Sequence, residues 1–113
     1  GQFQRALFAR LMLQNSPVVL LDEPFTAVDQ KTEVDLGTIV TSWRNEGRTI
    51  ISVLHDLDQV RRLFPKTLLL ARDPIAWGAT ADVICHENLR AADALSEAWD
   101  EKAEDCVFPG VAA

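Results

Sequence analysis

Two carboxylates and a histidine stand at the ends of two apolar runs. Val18-Val19-Leu20-Leu21 leads straight into Asp22-Glu23-Pro24, and Thr49-Ile50-Ile51-Ser52-Val53-Leu54 leads into His55-Asp56. Short continuous apolar runs of this kind read as strands buried on both faces of a parallel sheet. In open α/β sheets, ligands gather at the carboxyl ends of the strands. An acid such as Asp22 there can hold Mg²⁺, through water, because this cation keeps much of its hydration shell. The next acid, Glu23, points another way and can take a proton from an attacking water. His55, at the same sheet edge one crossover away, can contact a γ-phosphate and that water. Each feature alone has a plainer explanation: two acids suit a strand-to-loop turn, and a histidine after a strand suits a cap. Together, in this order, they favour phosphate chemistry.

The elements that must position these groups are legible along the chain. Gln2 to Gln14 reads as a helix, apolar on nearly every side (Phe3, Ala6, Leu7, Leu11, Leu13) and therefore expected to be largely buried. Asn15-Ser16-Pro17 ends it. Gln30 to Glu46 carries Leu36, Ile39, Val40 and Trp43 at helical spacing, with Gly47 as its stop. Strand, helix, strand in this order is a βαβ unit with parallel strands and a right-handed crossover. Asp56 caps a short helix to about Leu63, with Gln59 at the capping-box position. Thr67–Ala71 and Ile75–Ala79 form a hairpin around Asp73-Pro74, Thr80 caps a short turn to Ile84, and Glu87–Trp99 is a last helix with Leu89, Ala92 and Leu95 in period. Beyond Asp100 the pattern dissolves into an acidic tail, 101–113, expected to be disordered.

Composition sets outer bounds. The 113 residues suit one domain or a piece of one, and the chain opens on Gly1 without a start Met, so Gly1 is not expected to be the natural N-terminus. A net charge of −6 disfavours a nucleic-acid partner or an anionic membrane surface. From Asp82 onward eight acidic residues face only Arg90 and Lys102. No apolar run reaches the roughly 18 residues of a membrane span. Cys85 and Cys106 lack CxxC spacing and read as free thiols; Cys85-His86 has no companion pair for a zinc site.

Gly1-Gln2, a helix, LLDEP, Thr26-Ala27-Val28-Asp29 and VLHD follow one another in an order and spacing that resemble the second half of an ABC-type nucleotide-binding domain. The resemblance covers the first 60 or so residues, weakens through the hairpin and is slight in the tail. It implies an α/β fold, the C-terminal part of a P-loop NTPase domain over residues 1–100, with ATP and Mg²⁺ as cofactors. By position, Asp22 is similar to the Mg²⁺-binding Walker-B acid, Glu23 to the general base, and His55 to the switch histidine that senses the γ-phosphate. Residues 26–29 resemble the loop that meets the partner subunit across the dimer, Asp29 also being a natural helix cap. Gly1 and Gln2 resemble the last two residues of the signature motif, which acts on ATP held by the other subunit; a glycine at a helix N-terminus leaves N–H groups free for a phosphate.

No GxxxxGK[ST] phosphate loop occurs in the chain. The loop that senses the membrane subunit and the adenine-stacking aromatic, which the family carries upstream, are absent as well. The chain alone is therefore expected neither to bind ATP tightly nor to hydrolyse it, and to leave an apolar sheet edge open. The resemblance implies a homodimer of ATPase subunits, transmembrane permease subunits, a solute-binding protein acting indirectly, no nucleic acid, and a cytoplasmic position on the bacterial inner membrane. Glu23-Pro24-Phe25, the Thr-Ala-Val-Asp loop and Leu68-Leu69-Leu70-Ala71-Arg72 are similar to importers of zinc, manganese or chelated iron. Two alternatives remain at this point: a non-transport ABC ATPase of DNA repair or translation, which its acidic balance disfavours, and a non-catalytic regulatory domain, which would need neither Glu23 nor His55.

Overall fold

The computed structural model describes residues 1–100, with side chains to residue 97. The acidic tail and Cys106 lie outside the described residues. The chain divides into two compact units, Gly1–Phe64 and the remainder from Pro65.

The first unit contains α1 (Gln2–Gln14), β1 (Val18–Asp22), α2 (Gln30–Asn45), β2 (Thr49–Val53) and α3 (Leu57–Leu63). The strands pair in parallel, Val18 opposite Thr49 through Asp22 opposite Val53, so the expected βαβ unit is present. The register brings the carboxyl ends of both strands level. Asp29 caps α2, its side chain accepting from the Thr32 N–H. Gly47 follows the end of that helix at φ 85°, where a side chain would be strained. Leu36, Val40 and Trp43 form the buried stripe, with Ile39 packed at its margin. Asp56 accepts from the backbone N–H groups of Asp58 and Gln59, which starts α3.

Two expectations about this unit are corrected. First, α1 is not largely buried: Phe8 is its one buried residue, while Phe3 is 73% and Leu13 87% exposed. Phe8 stacks on Trp43 with ring centroids 5.7 Å apart, which sets the face of α1 turned toward α2. Leu11 packs at the margin of the same core, while Phe3, Met12 and Leu13 are left exposed among the described residues. Second, the strands are covered on one face only. Val19 and Leu21 join the core, whereas Val18, Leu20, Ile51 and Val53 are exposed. Side chains alternate across a strand, so layering on one side buries every second residue. Here the helices of the βαβ unit supply a single covering layer. A two-stranded sheet also leaves each strand with one unpaired edge.

In the second unit, β3 (Lys66–Leu70) and β4 (Pro74–Ala79) form the expected antiparallel hairpin, each beginning one residue earlier than its sequence pattern suggests. Thr80 does not cap α4 (Thr80–Val83). It is the first helical residue, capped by Ala79 without a side-chain bond, and its hydroxyl meets that of Thr67 at 2.8 Å. Pairing with a neighbouring strand has displaced local capping. α5 (His86–Asp100) packs on the hairpin, with Leu89 and Ala92 half-buried and Leu95 exposed. Cys85 is a free, half-buried thiol.

Candidate functional site

The loop leaving β1 turns at once. Glu23 adopts φ 44°, a left-handed conformation that costs a residue with a side chain roughly 1 to 2 kcal/mol. Its backbone N–H still donates to the Val53 carbonyl at 2.9 Å, extending the strand pairing by one step. The turn therefore separates the two acids. Asp22 continues the alternation of β1 onto the exposed face with Val18 and Leu20. Glu23 leaves that alternation and meets the end of β2. Strain of this kind persists where surrounding contacts over-determine it, and here they do.

Those contacts hold both carboxylate oxygens of Glu23. Oε1 pairs with His55 Nε2, and Oε2 accepts from the Thr26 hydroxyl at 3.4 Å. The His55 side chain is 81% exposed, so the pair adds little stability, as is usual for surface ion pairs; its consequence is orientation. A cleft of about 200 Å³ opens here, lined by Glu23, Phe25, Thr26, Leu54, His55, Asp56 and Gln59. The arrangement presents a solvent-reachable carboxylate, fixed in direction, beside an imidazole. That is the geometry needed to hold a water and remove its proton.

Asp22 does not line this cleft. It stands one residue away as a single exposed carboxylate, and among the described residues no three acidic, histidine or cysteine side chains gather into a cage. One carboxylate suits a hydrated Mg²⁺ that takes its other ligands from water and substrate phosphates, so the donor set fits that ion rather than a protein-enclosed metal.

A second group forms at the first turns of α1 and α2. Asp29 Oδ1 accepts from the Thr32 hydroxyl at 2.5 Å, and Thr32 Oγ1 in turn accepts from the Arg5 guanidinium at 3.2 Å. Gly1 lies against the same pair: a Cβ there would stand 3.4 Å from Thr32 Oγ1 and 3.5 Å from Asp29 Oδ1. Gln2 opens α1 and is exposed. The six candidate residues thus fall into two groups joined by the loop from Glu23 to Asp29. One comprises Glu23 and His55 with Asp22 beside them, the other Asp29 and Gly1 with Gln2 next in the chain. Sequence reasoning placed Thr26 in the partner-facing loop but missed its bond to Glu23, and it missed the parts played by Arg5 and Thr32. For Thr32 a signal existed, since Asp-x-x-Thr places a hydroxyl at the third position of a capped helix; Arg5 had none.

The hydroxyl and backbone N–H of Thr32 hold the Asp29 carboxyl below its ordinary value of 3.8. The sign follows from the depressed value. The carboxylate's contribution is fully present above the unfolded value and is lost as pH falls through the lowered folded one. Asp29→Asn keeps an acceptor for the cap but cannot titrate. Below about pH 4 its stability, read by urea unfolding, is expected to fall less steeply with pH than that of the parent. Equal slopes would contradict the cap's titration.

No family model matches the sequence. Individual proteins do. The chain is 43% identical over 89 residues, 79% of its length, to the manganese transport system ATP-binding protein MntA of Synechocystis, covering 34% of that protein. It is 36% identical over 92 residues, 81% of its length, to the zinc transport system ATP-binding protein TroB of Treponema pallidum, covering 35% of it. Its fold is similar, with a TM-score of 0.74 and 29% identity over 82% of this chain and 38% of the other, to a structure described as a metal-chelate type ABC transporter in an inward-facing conformation. The fold is thus that of the ABC ATPase domain, a parallel βαβ core followed by a hairpin and helices. These sequence relatives are ABC-type ATP-binding proteins of metal transport systems. It spans about a third of the length of the curated relatives it matches.

Proposed function

We propose that residues 1–100 are the C-terminal portion of a nucleotide-binding domain that hydrolyses ATP in an ABC metal importer, with manganese or zinc as the cargo. The carrying observation is the contact of Glu23 with His55 at the level ends of two parallel strands. In this proposal Glu23 takes the proton of the attacking water, His55 orients that water and contacts the γ-phosphate, and Asp22 holds Mg²⁺ through water. Bound Mg²⁺ supplies charge neutralisation for the phosphates. Thr26 keeps the Glu23 carboxylate aimed. Gly1, Gln2 and Asp29 face ATP held by a second ATPase subunit. Cargo passes through transmembrane permease subunits fed by a solute-binding protein, so no residue of this chain touches the metal carried. The subunit sits on the cytoplasmic face of the inner membrane. No described helix is long and apolar enough to cross a membrane. The manganese and zinc relatives support a transport role over repair or translation, and the paired Glu23 and His55 support catalysis over a purely regulatory domain.

The phosphate grip comes from sequence outside this chain. Millimolar Mg-ATP is expected to leave the melting temperature of the isolated chain unchanged and to remain unhydrolysed, whereas the complete protein turns it over. A rise of several degrees for the isolated chain would overturn that division of labour, since only a ligand bound to the folded state shifts the midpoint upward.

A further inference from the structure

Thr32 is almost fully buried, with 3% of its surface exposed, although it is polar and stands in the first turn of a helix. A cap at Asp29 needs only the backbone N–H of residue 32. The Thr32 hydroxyl does more. It donates a hydrogen bond to Asp29 Oδ1 at 2.5 Å, and its oxygen accepts from Arg5 at 3.2 Å. Arg5 also pairs with Asp35 Oδ2 at 3.1 Å, one turn further along α2. Gly1 stands beside the same two side chains, so that a Cβ there would lie within ordinary contact distance of their oxygens, and its carbonyl accepts from the Arg5 N–H at 3.1 Å. One buried hydroxyl therefore joins the start of α1 to the end of the loop that begins at Glu23.

We propose that Thr32, with Arg5, is a positioning residue that fixes the first turn of α1 to the Glu23–Asp29 loop, so that the partner-facing residues and the water-activating carboxylate move as one piece. This rests on the function proposed above, in which Gly1 and Asp29 act on the partner's ATP while Glu23 acts on the nucleotide of its own subunit. The loop is already pinned at its near end by the Glu23 N–H on the Val53 carbonyl and by the contact of Glu23 with His55, and Thr32 pins its far end. With both ends held, closure around the partner's ATP brings Glu23 into register. Loss of the Thr32 hydroxyl leaves the Asp29 carboxylate and the Arg5 guanidinium without their shared partner, while Val fills the same volume.

The experiment uses the complete protein with four variants: Thr32→Val, Thr32→Ser, Arg5→Gln and Glu23→Gln. ATP turnover is measured for each, and ATP-dependent dimerisation is measured by sedimentation with and without Thr32→Val in the Glu23→Gln background. Thr32→Val is expected to lower kcat roughly 3- to 10-fold and weaken the dimer by a similar factor, the scale of one internal hydrogen bond. KM for ATP should stay near the parent value, because the phosphate grip lies elsewhere. Thr32→Ser should restore both, and Arg5→Gln should show part of the loss. Parent-like turnover and dimerisation in Thr32→Val would overturn the proposal. So would a loss that Thr32→Ser fails to rescue, or one that tracks a lowered melting temperature, since either marks a merely structural role. Near-normal turnover in Glu23→Gln would instead refute the assigned base. An inactive Glu23→Gln beside a parent-like Thr32→Val would sink only the positioning role.

Discussion

In the complete protein, Glu23→Gln is expected to lower ATP turnover by about 10² to 10⁴-fold, the usual loss on removing a general base, while nucleotide binding persists. The substitution changes little else. Glutamine has the same length and retains an oxygen for the Thr26 hydroxyl, which reaches Glu23 at 3.4 Å. Its amide loses the charge opposite His55 but keeps polar contact with the imidazole. What it cannot do is accept a proton from water. The left-handed backbone at φ 44° and the bond from the Glu23 N–H to Val53 do not depend on the side chain's charge. A fall in kcat with unchanged KM therefore reports proton transfer, and single-turnover kinetics with bound ATP separate it from product release. Near-normal turnover would remove Glu23 from the reaction and leave the cleft beside His55 without an assigned base.

Trp43→Ala is expected to destabilise the protein by about 3 to 5 kcal/mol, the range for deleting a large aromatic from a core. Trp43 is buried between the helix stripe and α1, stacked on Phe8 with only 7° between the ring planes. The guanidinium of Arg48 lies 5.8 Å from its ring centroid. Arg48 also donates to Asn15 at 2.5 Å and pairs with Glu46 at 3.0 Å, so the ring supports a side chain that ties the ends of α1 and α2 together. Removing it opens a cavity and frees that clamp. The check is urea unfolding of the complete protein, with a lowered midpoint at unchanged slope. Trp43 lies at the opposite end of α2 from Asp29, so turnover per folded molecule should stay near the parent value. A stability loss below about 1 kcal/mol would mean the Phe8–Trp43 stack contributes little beyond what a repacked core supplies.

Both outcomes bear on how far residue patterns reach. The Leu36, Val40, Trp43 stripe was legible because burial on a helix repeats every three to four residues, and the caps at Asp29 and Asp56 because each bonds to amides two or three positions on. The meeting of Glu23 with His55 was legible too, since consecutive parallel strands bring their carboxyl ends to one edge. The one-sided burial of β1 and β2 was not. A run such as Val18-Val19-Leu20-Leu21 records an environment that is apolar on both sides, but not whether the second layer belongs to the same chain. Val18, Leu20, Ile51 and Val53 are left open for that reason, along with most of the apolar surface of α1.

The sequence by itself determined the α/β order of elements, the caps of α2 and α3 and the identity of the candidate groups Asp22, Glu23, Asp29 and His55, because each depends on neighbours a few residues away or on strand order. Only the tertiary structure decided which of those groups touch and what holds them. Glu23 reaches His55 and Thr26 through a left-handed turn that separates it from Asp22. Thr32 binds Asp29 to Arg5, which lies 27 residues before Thr32 in sequence, and Phe8 is the one buried residue of α1, with Leu11 packed at the core's margin. These choices follow from the distance and angle at which α1 and α2 pack, which no local periodicity encodes.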